Sequence, residues 1–312
     1  MTRIAFLGTP SVAVPALRAL AEEGIVAVFC NPDRPAGRGR HLEAPPVKVA
    51  AQACGLTIYQ PQTWKSPETR VLWEDLKIDL AVVVAYGHIL PRWMLDSCPS
   101  GVWNLHFSLL PRWRGAAPVN RALLAGDEET GVSLMRLTEG LDEGPVQAQT
   151  RRAIGLETTA EGLLVKLAED AADLLMDQLP MLLCGCARPV EQQHELATYA
   201  PKLRRDMGRL DWRRPAADLH RQVRALCPWP GSELQLEGQV LKVCGVGGLR
   251  ACYREPGQLH WSKEGAWLTT ADGALELTQL QRPGKPIQPA LQALQPWGAS
   301  GSRALAHPDE PR

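Results

Sequence analysis

The chain opens on a short apolar run, Ile4–Leu7, and runs of the same kind return at Val26–Cys30, Leu80–Ala85, Val102–Leu105, Val132–Leu137 and Val146–Thr150. Each is dominated by Val, Leu, Ile or Ala and bounded by turn-forming residues, as strands are. Between them, apolar residues recur at three- and four-residue spacing over Ser11–Glu22, Val47–Cys54, Thr69–Leu76, Ala117–Ala125 and Thr159–Leu183, which predicts helices. Strand and helix alternating in this way predict an α/β domain built on a Rossmann-like, mostly parallel sheet. The run LAVVVA from Leu80 is apolar throughout, as suits a central strand covered on both faces.

The pattern changes after residue 187. The stretch ARPVEQQHELATYA loses its periodicity, so 188–204 reads as a linker between a first domain over 1–187 and a second over 205–312. In the second, one amphipathic helix at about Pro215–Leu226 is followed by hairpin patterns. LQLEGQVLKV turns at Glu237-Gly238, and WLTTADGALELTQL turns at Ala271-Asp272-Gly273. A small OB-like β-barrel with one helix is expected. From about Gly298 the apolar period is lost, and a loose tail is expected there.

Composition adds little: 312 residues, 45% hydrophobic and 22% charged, describe an ordinary globular chain with room for two domains. Charge adds more. The net is zero, yet residues 1–200 carry 18 Lys/Arg against 23 Asp/Glu, while 201–312 carry 16 against 11. A basic second part suits a polyanionic partner. The eight cysteines are scattered, and the close pair Cys184 and Cys186 has no second pair to complete a zinc site. They read as free thiols in a reducing compartment. The first strand begins too early to leave room for a leader, and no apolar run reaches the ~20 residues a membrane span needs. A cytoplasmic monomer is the expectation.

Candidate chemistry concentrates in one stretch, GVWNLHFSLLPRWRGAAP from Gly101 to Pro118. Asn104 and His106 are two apart at the end of a strand, so they share a face. The carboxyl ends of parallel strands form the ligand crevice of such sheets. The next strand leads into TEGLDEGP, which is expected to bring Asp142 to the same edge. An amide, an imidazole and a carboxylate together suit acyl transfer: a donor for an oxyanion, a titratable ring, and a group that orients it or relays a proton. Taken singly, His106 also fits a packed strand-end histidine and Asp142 a turn residue. No G-x-S-x-G elbow, reactive cysteine or HExxH motif supplies a nucleophile or a metal, so an acyl-transfer reading takes its attacking group from the substrate. The opening FLGTP lacks the GxGxxG spacing of a dinucleotide site, and Pro10 removes a backbone donor; it reads as a tight strand–helix connection.

NLHFSLLPRWRGAAP followed by GLDEGP resembles the signature of the 10-formyltetrahydrofolate-dependent formyltransferases. The resemblance runs along nearly the whole chain, through FLGTP, RPAGRGRHLEAPPVK, AYGHILP, TYAPKL, RLDW and RALCPWPGSELQLEGQVLKV. It implies a catalytic trio of Asn104, His106 and Asp142. It implies a folate pocket of Tyr86, Gly87, His88, Ile89 and Leu90, of Ser108, Leu109, Leu110 and Pro111, and of Leu137, Glu139 and Gly140. No metal is implied. The acceptor implied is the amine of initiator methionyl-tRNA, held by Arg38, Arg40 and Lys48 and by Lys202, Arg204 and Arg205. Phe107 and His88 depart from the residues usual in the family, and the tail after Lys285 matches poorly. Two rivals remain at this point. One is another folate enzyme, a formyltransferase acting on a sugar amine or a hydrolase passing formyl to water, although the basic second part and the RPAGRGR segment favour tRNA. The other is a non-catalytic RNA-binding protein, in which Trp212 and Trp229 stack on bases amid the eight Lys/Arg between Lys202 and Arg224.

Overall fold

The computed structural model describes residues 2–36, 41–252 and 254–306. The chain divides into two compact units, each discontinuous in sequence: Met1–Pro118, Glu129–Ala153 and Leu164–Ala200 form the first, and Val119–Glu128, Ile154–Leu163 and Pro201–Arg312 the second.

The first unit carries strands β1 (Ile4–Gly8), β2 (Ile25–Phe29), β3 (Arg34–Ala36), β4 (His41–Glu43), β5 (Ile58–Tyr59), β6 (Leu80–Val84), β7 (Val102–His106), β8 (Arg114–Gly115), β9 (Glu129–Arg136), β10 (Val146–Ala153) and β11 (Tyr199–Ala200). Helices α1 (Val14–Leu20), α2 (Pro46–Ala53), α3 (Pro67–Leu76), α4 (Arg92–Ser97), α5 (Pro118–Ala125) and α6 (Ala160–Leu183) lie between them. The main sheet has the order β10-β9-β7-β6-β1-β2-β5. Its five strands from β7 to β5 are parallel, and β6 is buried along its whole length, as the apolar run predicts. The longer helices fall where the periodicity puts them. Short elements, such as helix α4 and the two-residue strand β5, are too brief to show a period.

One expectation fails here in an instructive way. β9 runs antiparallel to β7, pairing Trp103 with Arg136 and His106 with Ser133. The end of β9 therefore lies beside the start of β7, and the Leu137 N–H bonds the carbonyl of Val102 at 2.8 Å. The loop carrying Asp142 does not leave from the carboxyl edge of the parallel strands; it starts at the opposite end. The sequence shows a strand but not its direction, because an antiparallel strand on a buried sheet is as apolar as a parallel one.

The second unit holds α7 (Ala216–Leu226), β12 (Ser232–Leu236), β13 (Gln239–Arg250), β14 (Gln258–Ser262), β15 (Gly265–Thr269), β16 (Ala274–Gln281), β17 (Gln288–Pro289), α8 (Ala290–Leu294) and β18 (Gly301–Ala304). The small barrel expected is a curled antiparallel sheet in the order β12-β13-β16-β15-β14-β18, with β17 beside β16. Both hairpins turn where the sequence places them. Glu237 and Gly238 have φ of 45° and 77°, the left-handed pair that a two-residue turn requires. The tail is not loose. β18 pairs with β14, Leu305 is buried, and the Ala306 N–H bonds the Gln235 carbonyl at 3.2 Å, bringing the tail back to β12. Four residues are too few to register as a period, and glycines and serines around them mask the strand. Trp212 packs against the apolar core of this unit and is no stacking platform, whereas Trp229 is 59% exposed.

Two outcomes test this fold. Leu305→Ala is expected to lower stability by about 2–5 kcal/mol, as a buried leucine should; a loose tail would give less than about 0.5 kcal/mol in urea unfolding. The second concerns His220, which is buried on α7 one turn from the buried Arg224, whose Nε donates to its Nδ1 at 3.2 Å. Burial and then Arg224, with Arg221 adding and Glu157 opposing, hold the imidazole below its ordinary 6.5. A lowered folded-state value means the unfolded chain binds the proton more readily. Stability is thus full above about 6.5 and falls as pH drops below it. His220→Gln is expected to flatten the fall in urea midpoint between pH 7.5 and 5, and an unchanged fall would show that other groups cause it.

Candidate active site

β7 sets the first two side chains. Asn104 and His106 alternate onto one face and are 9% and 7% exposed. Among the described residues, the Asn104 side-chain amide makes no hydrogen bond, which leaves it able to meet a bound acceptor or donor. The His106 Nε2 lies 2.8 Å from the carbonyl oxygen of Trp113. A carbonyl can only accept, so Nε2 carries the proton and Nδ1 is the nitrogen left for chemistry. Nδ1 stands 3.6 Å from Asp142 Oδ2.

Asp142 arrives by a long return. From Leu137 beside Val102, the loop runs back along β7 by the length of four residues, roughly 13 Å at strand rise, to reach His106. Asp142 itself is left-handed, φ 49°, and its Oδ2 accepts the Gly115 N–H at 2.8 Å. Gly115 has φ 116°, and a Cβ there would stand 2.8 Å from the Ala200 carbonyl oxygen, so the donor needs glycine. The structure thus brings together all three residues of the expected trio, by a path the sequence does not suggest.

The remaining expected residues divide. Tyr86 and Leu90 lie in the apolar core with Trp64, Trp73 and Met94, so what they can offer a ligand is backbone. The Tyr86 hydroxyl is buried without a partner, and burial pushes its acidity well below that of an ordinary phenol. Gly87 is left-handed at φ 83°, and Ile89 is 92% exposed. His88 donates from Nε2 to Asn31 Oδ1 at 2.6 Å; burial, then Arg34, holds its ring below the ordinary value. Ser108 is buried and its hydroxyl donates to the Arg112 carbonyl at 2.7 Å, shaping the Ser108–Pro111 turn with Leu109 and Leu110. Leu137 packs on the core, Glu139 pairs with Arg92 at 3.2 Å, and Gly140 lies between Glu139 and Leu141 on the returning loop. Phe107 is buried.

Several residues that hold the site escape sequence reading. Ser133 on β9 donates to the Ser108 carbonyl at 2.6 Å and accepts from Leu110 N and from Gln149 Nε2 on β10. Gln192 and Arg114, both buried, lie beneath the Asp142 loop. The signal for them is polar residues at positions that prove buried, and only the fold shows which those are.

The expected tRNA contacts fare unevenly. Arg38 and Arg40 lie outside the described residues. Lys48 is gripped by both carboxylate oxygens of Asp33, at 2.9 and 2.7 Å, and Lys48 with Gln60 holds that carboxyl below its usual range. Arg204 pairs with Asp206 at 2.9 Å, while Lys202 and Arg205 are exposed. Nearby, Arg213 pairs with Asp211, and Arg214 and Arg221 both with Asp218. In the same unit a cavity of about 470 Å³ is lined by Arg250, Arg254, His260 and Trp267, with the Arg250 guanidinium over the Trp267 ring at 3.8 Å. All eight cysteines are free, and no group of three potential metal ligands occurs among the described residues. No helix among them is long and apolar enough to cross a membrane.

Comparison with known proteins agrees with this geometry. Residues 2–179 match the formyl transferase family model and 202–296 that of the formyl transferase C-terminal domain. The methionyl-tRNA formyltransferase of Xanthomonas axonopodis pv. citri is 48% identical over 287 residues, 90% of this chain and 93% of that one. That of Xylella fastidiosa M12 gives the same figures. Among solved structures, HypX from Aquifex aeolicus in complex with tetrahydrofolic acid superposes with a TM-score of 0.64 at 19% identity, over 94% of this chain and 47% of that one. An N-formyltransferase from Helicobacter canadensis, bound to folinic acid and dTDP-3-aminofucose, gives 0.67 at 15% identity, over 89% and 99%. The two structures share the fold; the identity along nearly the full length shows that the chain belongs to the formyl transferase family, as one of the methionyl-tRNA formyltransferases.

Proposed function

We propose that this enzyme moves the formyl group of 10-formyltetrahydrofolate to the α-amine of initiator methionyl-tRNA in the cytoplasm, acting as a monomer. The observation that carries the chemistry is the convergence of an unpartnered amide, an imidazole with one committed nitrogen, and a carboxylate with one free oxygen. The near full-length identity to methionyl-tRNA formyltransferases carries the acceptor. The folate supplies an activated formyl group on N10. The fit rests on the buried, unpartnered Asn104 amide beside His106, which suits a carbonyl oxygen, and on the left-handed backbone at Ala85 and Gly87 in the loop after β6.

The residues then act as follows. Asn104 hydrogen-bonds the formyl oxygen as it gains negative charge, and His106 does so through Nδ1 when its ring carries a second proton there beside the one Nε2 gives to Trp113, in a site where burial strengthens both bonds. Trp113 holds the ring against rotation through Nε2. Asp142 has Oδ2 committed to Gly115 N–H, and its Oδ1 has no partner among the described residues. That oxygen can take the proton the amine sheds as its nitrogen bonds carbon. The same proton returns to N10 as the carbon–N10 bond breaks, so the enzyme ends unchanged.

For the acceptor, the exposed Lys202 and Arg205 and the cavity cations Arg250 and Arg254 offer phosphate contacts, joined by Arg38 and Arg40 from the segment between β3 and β4. Arg204 and Lys48, already paired, contribute less unless RNA displaces their carboxylates. A sugar-amine acceptor is the second reading, favoured only by the solved N-formyltransferase bound to dTDP-3-aminofucose, whose identity of 15% speaks to fold alone.

Charged initiator tRNA, free methionine, a dTDP-amino sugar and water, offered together with 10-formyltetrahydrofolate, test the reading; tRNA should be formylated far faster than the others, and a preference for the sugar would overturn it. Within that reaction, His106→Ala, Asp142→Asn and Asn104→Ala are each expected to slow turnover by about 10²-fold or more with folding intact. Near-normal rates in two of the three would remove the trio from the chemistry. Lys202→Ala with Arg205→Ala should weaken tRNA binding and reduce the slope of log affinity against log salt by about 2, one for each lost phosphate contact. An unchanged slope would place the RNA elsewhere.

A further inference from the structure

We propose that Gln192 is a positioning residue for Asp142, and that through it the segment following α6 sets the catalytic loop; the proposal rests on Asp142 serving as the proton-transfer group. Gln192 sits in VEQQHEL, a polar stretch with no apolar period, yet it is 7% exposed. Its Nε2 donates to the carbonyl of Asp142 at 2.9 Å and to that of Gly144 at 2.7 Å. Its Oε1 accepts from Arg114 Nε at 3.0 Å and from the terminal Arg114 nitrogen at 2.8 Å. Both amide hydrogens and both oxygen lone pairs are therefore in use. The carbonyls can only accept and the guanidinium can only donate, so the amide has one possible orientation.

What it holds needs holding. A non-glycine residue in the left-handed region persists only where its surroundings fix it. Asp142 is fixed at two points: its carboxylate by Gly115 N–H and its carbonyl by Gln192. The second point comes from the segment that also supplies β11. β11 pairs in parallel with β8, setting Tyr199 against Arg114 and Ala200 against Gly115. Arg114 N–H bonds the Thr198 carbonyl, and Trp113 N–H the Thr198 hydroxyl at 2.9 Å. Residues 113–115 thus face two ways. Trp113 O and Gly115 N–H hold His106 and Asp142, while Arg114 N–H and the Trp113 N–H are held by the segment. The Arg114 guanidinium is itself buried and reaches His194 Nδ1 at 3.2 Å, closing the set on the same segment. No side chain of 188–200 is needed at the reacting atoms; the segment acts by fixing the residues that are.

Gln192→Met keeps the volume and removes every bond; Gln192→Glu keeps the acceptor for Arg114 but sets a carboxylate against two carbonyls. Each is expected to lower kcat by about tenfold to 10²-fold, as a displaced catalytic group does, with KM for the folate within about twofold. The deciding measurement is the double variant with Asp142→Asn, in which a helper of an absent carboxylate has nothing left to position. Gln192→Met should then cost less than about twofold. Losses that multiply, or a wild-type kcat in Gln192→Met, would overturn the proposal. If Asp142→Asn alone turned over normally, the reading of Asp142 would fall instead. Should Gln192→Met not fold, the Gln192→Glu cycle, read the same way, decides.

Discussion

The direction of β9 governs the active site. Because that strand runs against β7, the carboxylate begins its approach from the wrong end of the sheet and must return across it to meet the imidazole. A loop making such a return has few regular bonds of its own, and backbone groups left unpaired in a buried place are costly. The bonds that compensate come from outside the loop: Gly115, Gln192 and, for the neighbouring turn, Ser133 and Gln149. The parallel strands supply Asn104 and His106 almost for nothing, since alternation alone aligns them. The third residue requires most of the polar construction in this unit.

That asymmetry marks the limit of what the sequence discloses. Strands such as Leu80–Val84 and hairpin turns such as Glu237-Gly238 follow from local rules, periodicity and left-handed propensity, and they appear where those rules place them. The trio was legible through residue type and family resemblance, but its geometry was not. Strand direction, the return of the loop and the burial of Gln192 are all set by contacts between residues far apart in sequence. The tail misled for a related reason: Leu305 is a single apolar residue, and one residue has no period.

Charge in the second unit shows the same gap between composition and arrangement. The excess of Lys and Arg suggested a broad basic surface, yet Arg204, Arg213, Arg214 and Arg221 each face an aspartate and Arg224 is buried. Exposed pairs of this kind contribute little to stability and exchange readily for phosphate. The basic excess is thus left to cations outside these pairs, such as the exposed Lys202 and Arg205. The discontinuity of the second unit also matters: within it Asn120 bonds the Ala225 carbonyl and Arg224 that of Thr158, so cutting the chain at Ala200 would strip 119–128 and 154–163 of their partners.

The partnership of Gln192 with Asp142 has a consequence for biosynthesis. A chain is made from its amino end, and structure can form as it emerges. Every strand of the main sheet is present once residue 153 has been added. The glutamine that fastens Asp142 lies 50 residues beyond that aspartate, and Thr198, which fastens Trp113, lies 85 beyond its partner. A nascent first unit can therefore complete its sheet and align Asn104 with His106 while the Asp142 backbone is still unfastened at its carbonyl. The last event in maturing this site is the docking of an unpatterned polar stretch, so catalytic competence arrives later than the fold itself.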